Sequence, residues 1–204
     1  MPPVVRCETR TAFIRLGRLA QAEHVTASAV DVLQRVASPA EPSETLSLYG
    51  AMHLVQTVIS GQESDRSRVH QHLTEAKRIG EQLGSDRNDF ETEFGHTNVQ
   101  LHAVAVAIDV GDAGEALDVA RGIDASGLSP ERRARLLVDV ARVHGQRWHT
   151  GEATKALLDA ECLAPEHVRS HHLAHSTIRD LIDQLGRRAP TDLVELARRS
   201  GAMP

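Results

Sequence analysis

His171, His172 and His175 stand within five residues of one another, and the chain carries twelve histidines in all. Histidine is the commonest metal ligand, so a metal site is the first chemistry to weigh. His171 and His175 share a helix face at i,i+4, but HHLAH lacks the glutamate of H-E-x-x-H. His70 and His72 are two apart, and a helix points them in different directions. These patterns predict structural or surface histidines and no bound metal. Catalysis has as little to rest on. There is no P-loop, no G-x-G-x-x-G and no nucleophile elbow. Pairs such as Asp139 with His144, or Glu93 with His96, arise in any helical protein. No enzyme and no cofactor is expected. Asn98, Arg135 and Arg142 offer binding chemistry instead. An amide can hold a peptide backbone by donor and acceptor together, and two guanidinium groups can clamp a carboxylate or phosphate. Whether they face one groove depends on the elements that carry them.

Those elements read as helices throughout. Apolar residues recur at helical spacing from Thr11 to Ala22 and again from Thr26 to Ala37. Pro39 and Pro42 close the second run. Ser43 and Glu44 suit a helix start, and Gly84 stands where a C′ glycine belongs after the following hairpin. The stretch SDRNDFETEFGHT then breaks the pattern. It is either a spacer whose Phe90 and Phe94 tuck into the core or a lid beside a ligand. Asp112 with Glu115 makes a D-x-x-E capping box, and Ser129-Pro130 is an N-cap followed by proline at N1. Thr150 caps the next helix and Pro165 ends it. One further helix is expected from about Val168 to Leu185, ending at Gly186, and a last one from Thr191 to Ser200.

The segments repeat. Helical hairpins start near Arg10, Gly50, Thr97 and Ala134, and a unit of about 34 residues remains once the interposed loops are removed, the length of a tetratricopeptide repeat. The units span about 10–42, 50–83, 97–130 and 134–167, with a helical cap over 168–200. The predicted fold is all-α, a single domain over 1–204 built as a right-handed superhelix of tetratricopeptide-like hairpins with C-terminal capping helices. The residue opening each second helix falls on Ala29, Val69, Ala116 and Ala153, followed by Leu33, Leu73, Ala120 and Leu157, then Val36, Ala76, Ile123 and Ala160. The fit is poorest in the first helix of the second unit, where Gln56-Thr57 occupy a packing position. Such a solenoid presents its first helices to a concave groove. This register turns Asn98, Leu101, Ala105, Ile108 and Asp109 to the groove from the third unit. The fourth contributes Arg135, Val138, Arg142 and Gln146, the second Ala51, Leu54, Val58 and Gln62, and the first Thr11, Ile14, Arg18 and Gln21. Phe90 lies beside the entrance. An alternative remains in which Arg135 and Arg142 form only a solvated face with Glu131 and Asp139.

Three stretches carry a family resemblance: LSLYGAMHLV at 46–55, the run 86–117, and LSPERRARLLVDVARVHGQRWHTGEATKALLDAECLAPEHVR at 128–169. Together they resemble the C-terminal tetratricopeptide-repeat portion of actinobacterial helix-turn-helix transcriptional regulators of the XRE type. The resemblance implies a sensor of a ligand or partner, downstream of a DNA-binding domain. No helix-turn-helix precedes residue 10 or fits elsewhere, so no direct DNA binding is expected of this chain.

Composition narrows the classes further. Net charge is −5, against a nucleic-acid surface over the whole chain. Aromatic residues make up only 2%, so the core must be Leu, Val and Ala, which suits closely approaching helices. Cys7 and Cys162 form no motif, which fits a reducing compartment. The N-terminus has no signal-peptide pattern, and no apolar run is long enough to span a bilayer. A cytoplasmic protein is expected. It binds a peptide, a protein segment or a small ligand in the groove. The alternative is a homodimerisation module using the apolar side of the terminal helices, through Leu181 and Leu193, and an accessory enzyme on the same scaffold comes last.

Overall fold

A computed structural model of the chain describes residues 18–36 and 43–203. All regular structure among them is helical. The chain divides into two compact units, Met1–Val110 and Gly111–Pro204. The division falls inside the third expected repeat, so the two halves of that repeat belong to different units.

The first unit contains α1 (Leu19–Val36), α2 (Ser43–Gln62), α3 (Arg66–Leu83) and α4 (His96–Asp109). The turn expected between Ala22 and Thr26 is absent. Leu19–Val36 is one continuous helix, because Gln21–Thr26 contains no glycine or proline to stop it, and Thr26 is fully buried with its hydroxyl donating to the Ala22 carbonyl at 2.7 Å. The groove positions Thr11 and Ile14 lie outside the described residues; Arg18 and Gln21 are exposed. Helices α2 and α3 form a hairpin. Asp65 caps α3 by accepting from the Arg68 amide at 3.0 Å, and Gly84 ends it in the left-handed region at φ 68°.

Leu46, Tyr49, Met52, Leu54, Ile79 and Phe94 make the core of this unit. Phe94 is wholly buried with the end of its ring against Gly50, where an added Cβ would strike it. Phe90 behaves differently. It sits on a single 3-10 turn (Asp89–Glu91) at φ 52° and is 37% exposed, so only one of the two phenylalanines tucks into the core. The loop is tied to itself: the Arg87 amide donates to the Phe94 carbonyl at 2.8 Å, and the Arg87 guanidinium pairs with Asp89 at 2.6 Å. Gly95 lets Asp86 approach closely enough to accept from the Thr97 amide at 3.1 Å.

The second unit contains α5 (Ala113–Gly122), α6 (Pro130–Gln146), α7 (Thr150–Leu163), α8 (Pro165–Ser170), α9 (His172–Leu185) and α10 (Thr191–Ser200). Ser129 caps α6, its hydroxyl accepting from the Arg132 amide at 3.4 Å, with Pro130 at the first helical position. Asp112 stands at the N-cap of α5, but its side chain does not cap the helix, so the expected capping box is not formed. Thr150 is the first residue inside α7, after His149 as N-cap. The helix expected over 168–185 is broken at His171, whose extended backbone (φ −92°, ψ 114°) separates α8 from α9.

Helices α6 and α7 meet through small residues. Ala134, Val138 and Ala141 face Ala153, Leu157 and Ala160 in one core cluster, each fully buried. The side chains barely project, so the two helices come close, and Ala174, Ile178 and Leu181 of α9 complete the same cluster. Leu181 and Leu193, which a dimer surface would need outside, are fully buried inside the unit.

Ala153→Leu places three extra heavy atoms where no space remains. It is expected to destabilise the chain by about 1–3 kcal/mol, read as a lowered midpoint in urea. An unchanged midpoint would contradict the packing described for α6 and α7.

Candidate functional site

The amphipathic pattern of α6 determines which of its side chains reach a ligand. Ala134, Val138 and Ala141 turn to α7 and are buried, while Arg135, Arg142 and Gln146 lie on another flank. Arg142 and Gln146 are one turn apart. Helix α9 packs beside the last turn of α6, and Gln184 fixes this approach by donating its amide to the Gly145 carbonyl at 3.4 Å. The two helices leave a cavity of about 410 Å³ between them. Arg142, Gly145 and Gln146 wall it from α6, and Leu173, Thr177 and Asp180 are among those walling it from α9.

Arg142 is not a bare cation. Its guanidinium pairs with Asp139 at 3.2 Å, and both side chains are largely covered, at 17% and 7% exposure. Arg135 remains exposed one further turn pair up the helix, seven residues from Arg142, or about 10 Å along the axis. Two histidines sit beside these arginines. The His167 and His171 rings stack with centroids 4.8 Å apart. Burial, then His167 and Arg135, pushes His171 down to about 4, and burial followed by Arg135 also lowers His167. His171 and His175 do not present a ligand pair on one helix, because His171 lies before the first residue of α9. No group of three or more potential ligating side chains converges among the described residues.

The other sequence-predicted residues lie in the first unit. Asn98 is 8% exposed at the start of α4 and belongs to the interior; Leu101 is half-buried, and Phe90 is on the loop. Ile108 and Val138 are core residues rather than groove residues, at 1% and 0% exposure, and Ala51 and Leu54 of α2 are buried as well. The reason is the sequence of these helices. LHAVAVAI is apolar around most of its circumference, so α4 buries more than one face. Of the six candidates, Arg142 and Gln146 share one cavity, Arg135 lies along the same helix, and Asn98, Leu101 and Phe90 belong to the first unit.

A second polar constellation, absent from the sequence prediction, lies inside the first unit. His53 of α2 and His72 of α3 meet Nδ1 to Nδ1 at 3.1 Å, and the Tyr49 ring stands edge-on to His53 at 4.7 Å. The His53 Nε2 atom is buried without a hydrogen-bond partner among the described residues. A bare acceptor costs less there than a bare N–H, which favours the tautomer donating from His53 to His72. Nearby, Arg68 of α3 pairs with Glu23 of α1 and with Glu63 at 3.1 Å, while the Gln56 amide donates to the Glu23 carbonyl at 3.4 Å. The signal was the poor repeat match at Gln56-Thr57. What that match lacked was the partner, which comes from another helix.

Burial, with His72 next to it, pushes His53 from its ordinary 6.5 down to about 4. His72 is lowered too, by burial and then by Arg68. Between pH 6.5 and about 4 the unfolded chain therefore binds protons that the folded chain refuses. Stability is full above pH 6.5 and falls as the pH drops through that window. For His53, which is 6% exposed, the loss approaches on the order of 3 kcal/mol. Urea midpoints measured from pH 7 to pH 4 are expected to fall, and His53→Leu is expected to flatten part of that slope. A slope unaltered in His53→Leu would contradict the buried neutral pair.

Compared with family models, with curated proteins and with solved structures, the chain has no match.

Proposed function

We propose that this chain is a non-catalytic interaction domain of the tetratricopeptide type, the sensor portion of a transcriptional regulator. It binds a peptide, a segment of a partner protein or a small ligand. One observation carries the reading: Arg142 and Gln146, which the repeat register turns to the ligand face, wall the same cavity against α9. Its volume of about 410 Å³ is within the range of small-ligand sites. The wall is also held in place before any ligand arrives. Asp139 fixes the Arg142 head, and Gln184 ties α9 to the last turn of α6. A site whose side chains are already positioned loses less entropy on binding. No helix among the described residues is long and apolar enough to cross a membrane, and the reading needs none.

Panning random heptapeptides on the full chain tests the reading. It is expected to return sequences that lose about tenfold or more in affinity on Gln146→Ala or Ser176→Trp, with unchanged circular dichroism. Gln146 and Ser176 are exposed at the cavity edge, so neither change disturbs the core. Peptides that bind both variants as well as the parent chain would overturn the assignment of the site.

A further inference from the structure

The α6/α9 cavity is unevenly supplied with hydrogen-bonding groups. On its donor side stand the Arg142 guanidinium and the Gln146 amide, and Arg142 already faces Asp139. Its acceptors are more numerous. Asp180 and Asp183 line the cavity, are exposed at its mouth, and have no ion-pair partner among the described residues. Ser176 and Thr177 send their hydroxyl hydrogens back to the Leu173 carbonyl, at 3.1 and 2.7 Å, which leaves only lone pairs for a ligand. Gln184 adds a further acceptor. Its Nε2 must face the Gly145 carbonyl, since the flipped amide would set oxygen against oxygen. That orientation leaves Oε1, which is buried, without a hydrogen-bond partner.

The charges point the same way. Arg142 and Asp139 cancel, and Asp180 and Asp183 remain, a formal −2 at the cavity. An anion held there would meet two carboxylates and few free donors. A cation with several N–H groups would meet carboxylates, hydroxyl lone pairs and an amide oxygen. Leu173 and Leu181 supply apolar wall between these polar groups, suited to the methylenes of a flexible stem.

From this we infer that the cavity between α6 and α9 binds a primary ammonium carried on an aliphatic stem, chemistry shared by a lysine side chain and a free polyamine. The inference rests on the cavity being the ligand site. It narrows that reading from any peptide or small ligand to a cationic one.

Calorimetric titration of the full chain tests it, with three probes: spermidine, acetyl-Gly-Lys-Gly-amide and acetyl-Gly-Glu-Gly-amide. The chain is expected to bind at least one cationic probe and to lose about tenfold or more in affinity when Asp180→Asn and Asp183→Asn are combined. Spermidine as the tighter probe identifies a polyamine site, and the lysine peptide as the tighter probe identifies a peptide site; both outcomes support the inference. Asp118→Asn, at a carboxylate on α5 that is 78% exposed, removes one charge elsewhere in the same unit and is expected to leave binding unchanged. Equal losses from Asp118→Asn and the cavity variants would overturn the inference, since binding would then follow overall charge. Binding of the glutamate peptide alone, lost on Gln146→Ala, would overturn the cationic preference and leave the binding-domain reading intact. No binding of any probe, while heptapeptides that depend on Gln146 are still recovered by panning, would also overturn the cationic preference. Failure of both experiments would overturn the two together.

Discussion

The close approach of α6 and α7 is the constraint on which the second unit depends. Ala134, Ala141, Ala153 and Ala160 leave little side-chain volume between the two helices, so the backbones are brought together and Val138 and Leu157 fill what remains. That contact sets the angle at which α6 presents its other flank. Helix α9 then packs against the pair through Ala174, Ile178 and Leu181. Because α9 sits on a platform of alanines, its polar side meets the end of α6 at a fixed separation. The cavity is the space that results. Two interactions at its edge, Arg142 with Asp139 and Gln184 with the Gly145 carbonyl, keep it from collapsing or drifting.

The first unit uses a different device. Its core is apolar around Phe94 and Gly50, where the missing Cβ lets the ring lie against the helix. Further along α2 the interior turns polar, with Gln56, Thr57 and His53 all buried. Such groups are tolerated because each finds a partner or a cheap unpartnered state. His53 finds His72, Gln56 finds Glu23 and Arg68, and Thr57 returns its hydroxyl to the His53 carbonyl at 2.9 Å. The cost appears as sensitivity to acid, since burial opposes a proton added to the histidine pair more than Glu75 and Glu23 favour it.

What the sequence revealed follows from what is local. Ser129-Pro130, Gly84 and Gly186 act within one turn of themselves, and each marks a helix end in the structure. The small residues at 116 and 153 are buried as the repeat pattern requires. Failures occur where a distant contact decides. No local signal separates His171 from the helix that follows, and the continuous α1 lacks the turn that a repeat would place at its middle. The same holds for the site. That Arg142 and Gln146 share a helix flank is legible because i,i+4 spacing on one helix is a property of the sequence. Thr177, Asp180 and Gln184 were invisible as their partners, since only the packing of α9 brings them near. Asn98 is 8% exposed, and an amide on an apolar helix has the same spacing whether it faces solvent or the interior.

In the function proposed above, this chain meets its ligand at the cavity beside α6. Amide chemical shifts of the full chain, followed while a peptide recovered by panning is added, test it most directly. The largest changes are expected at Arg142–Gln146 and along Leu173–Gln184, the two walls of the cavity. Changes confined to α1–α4, with the α6 and α9 amides unmoved, would contradict it.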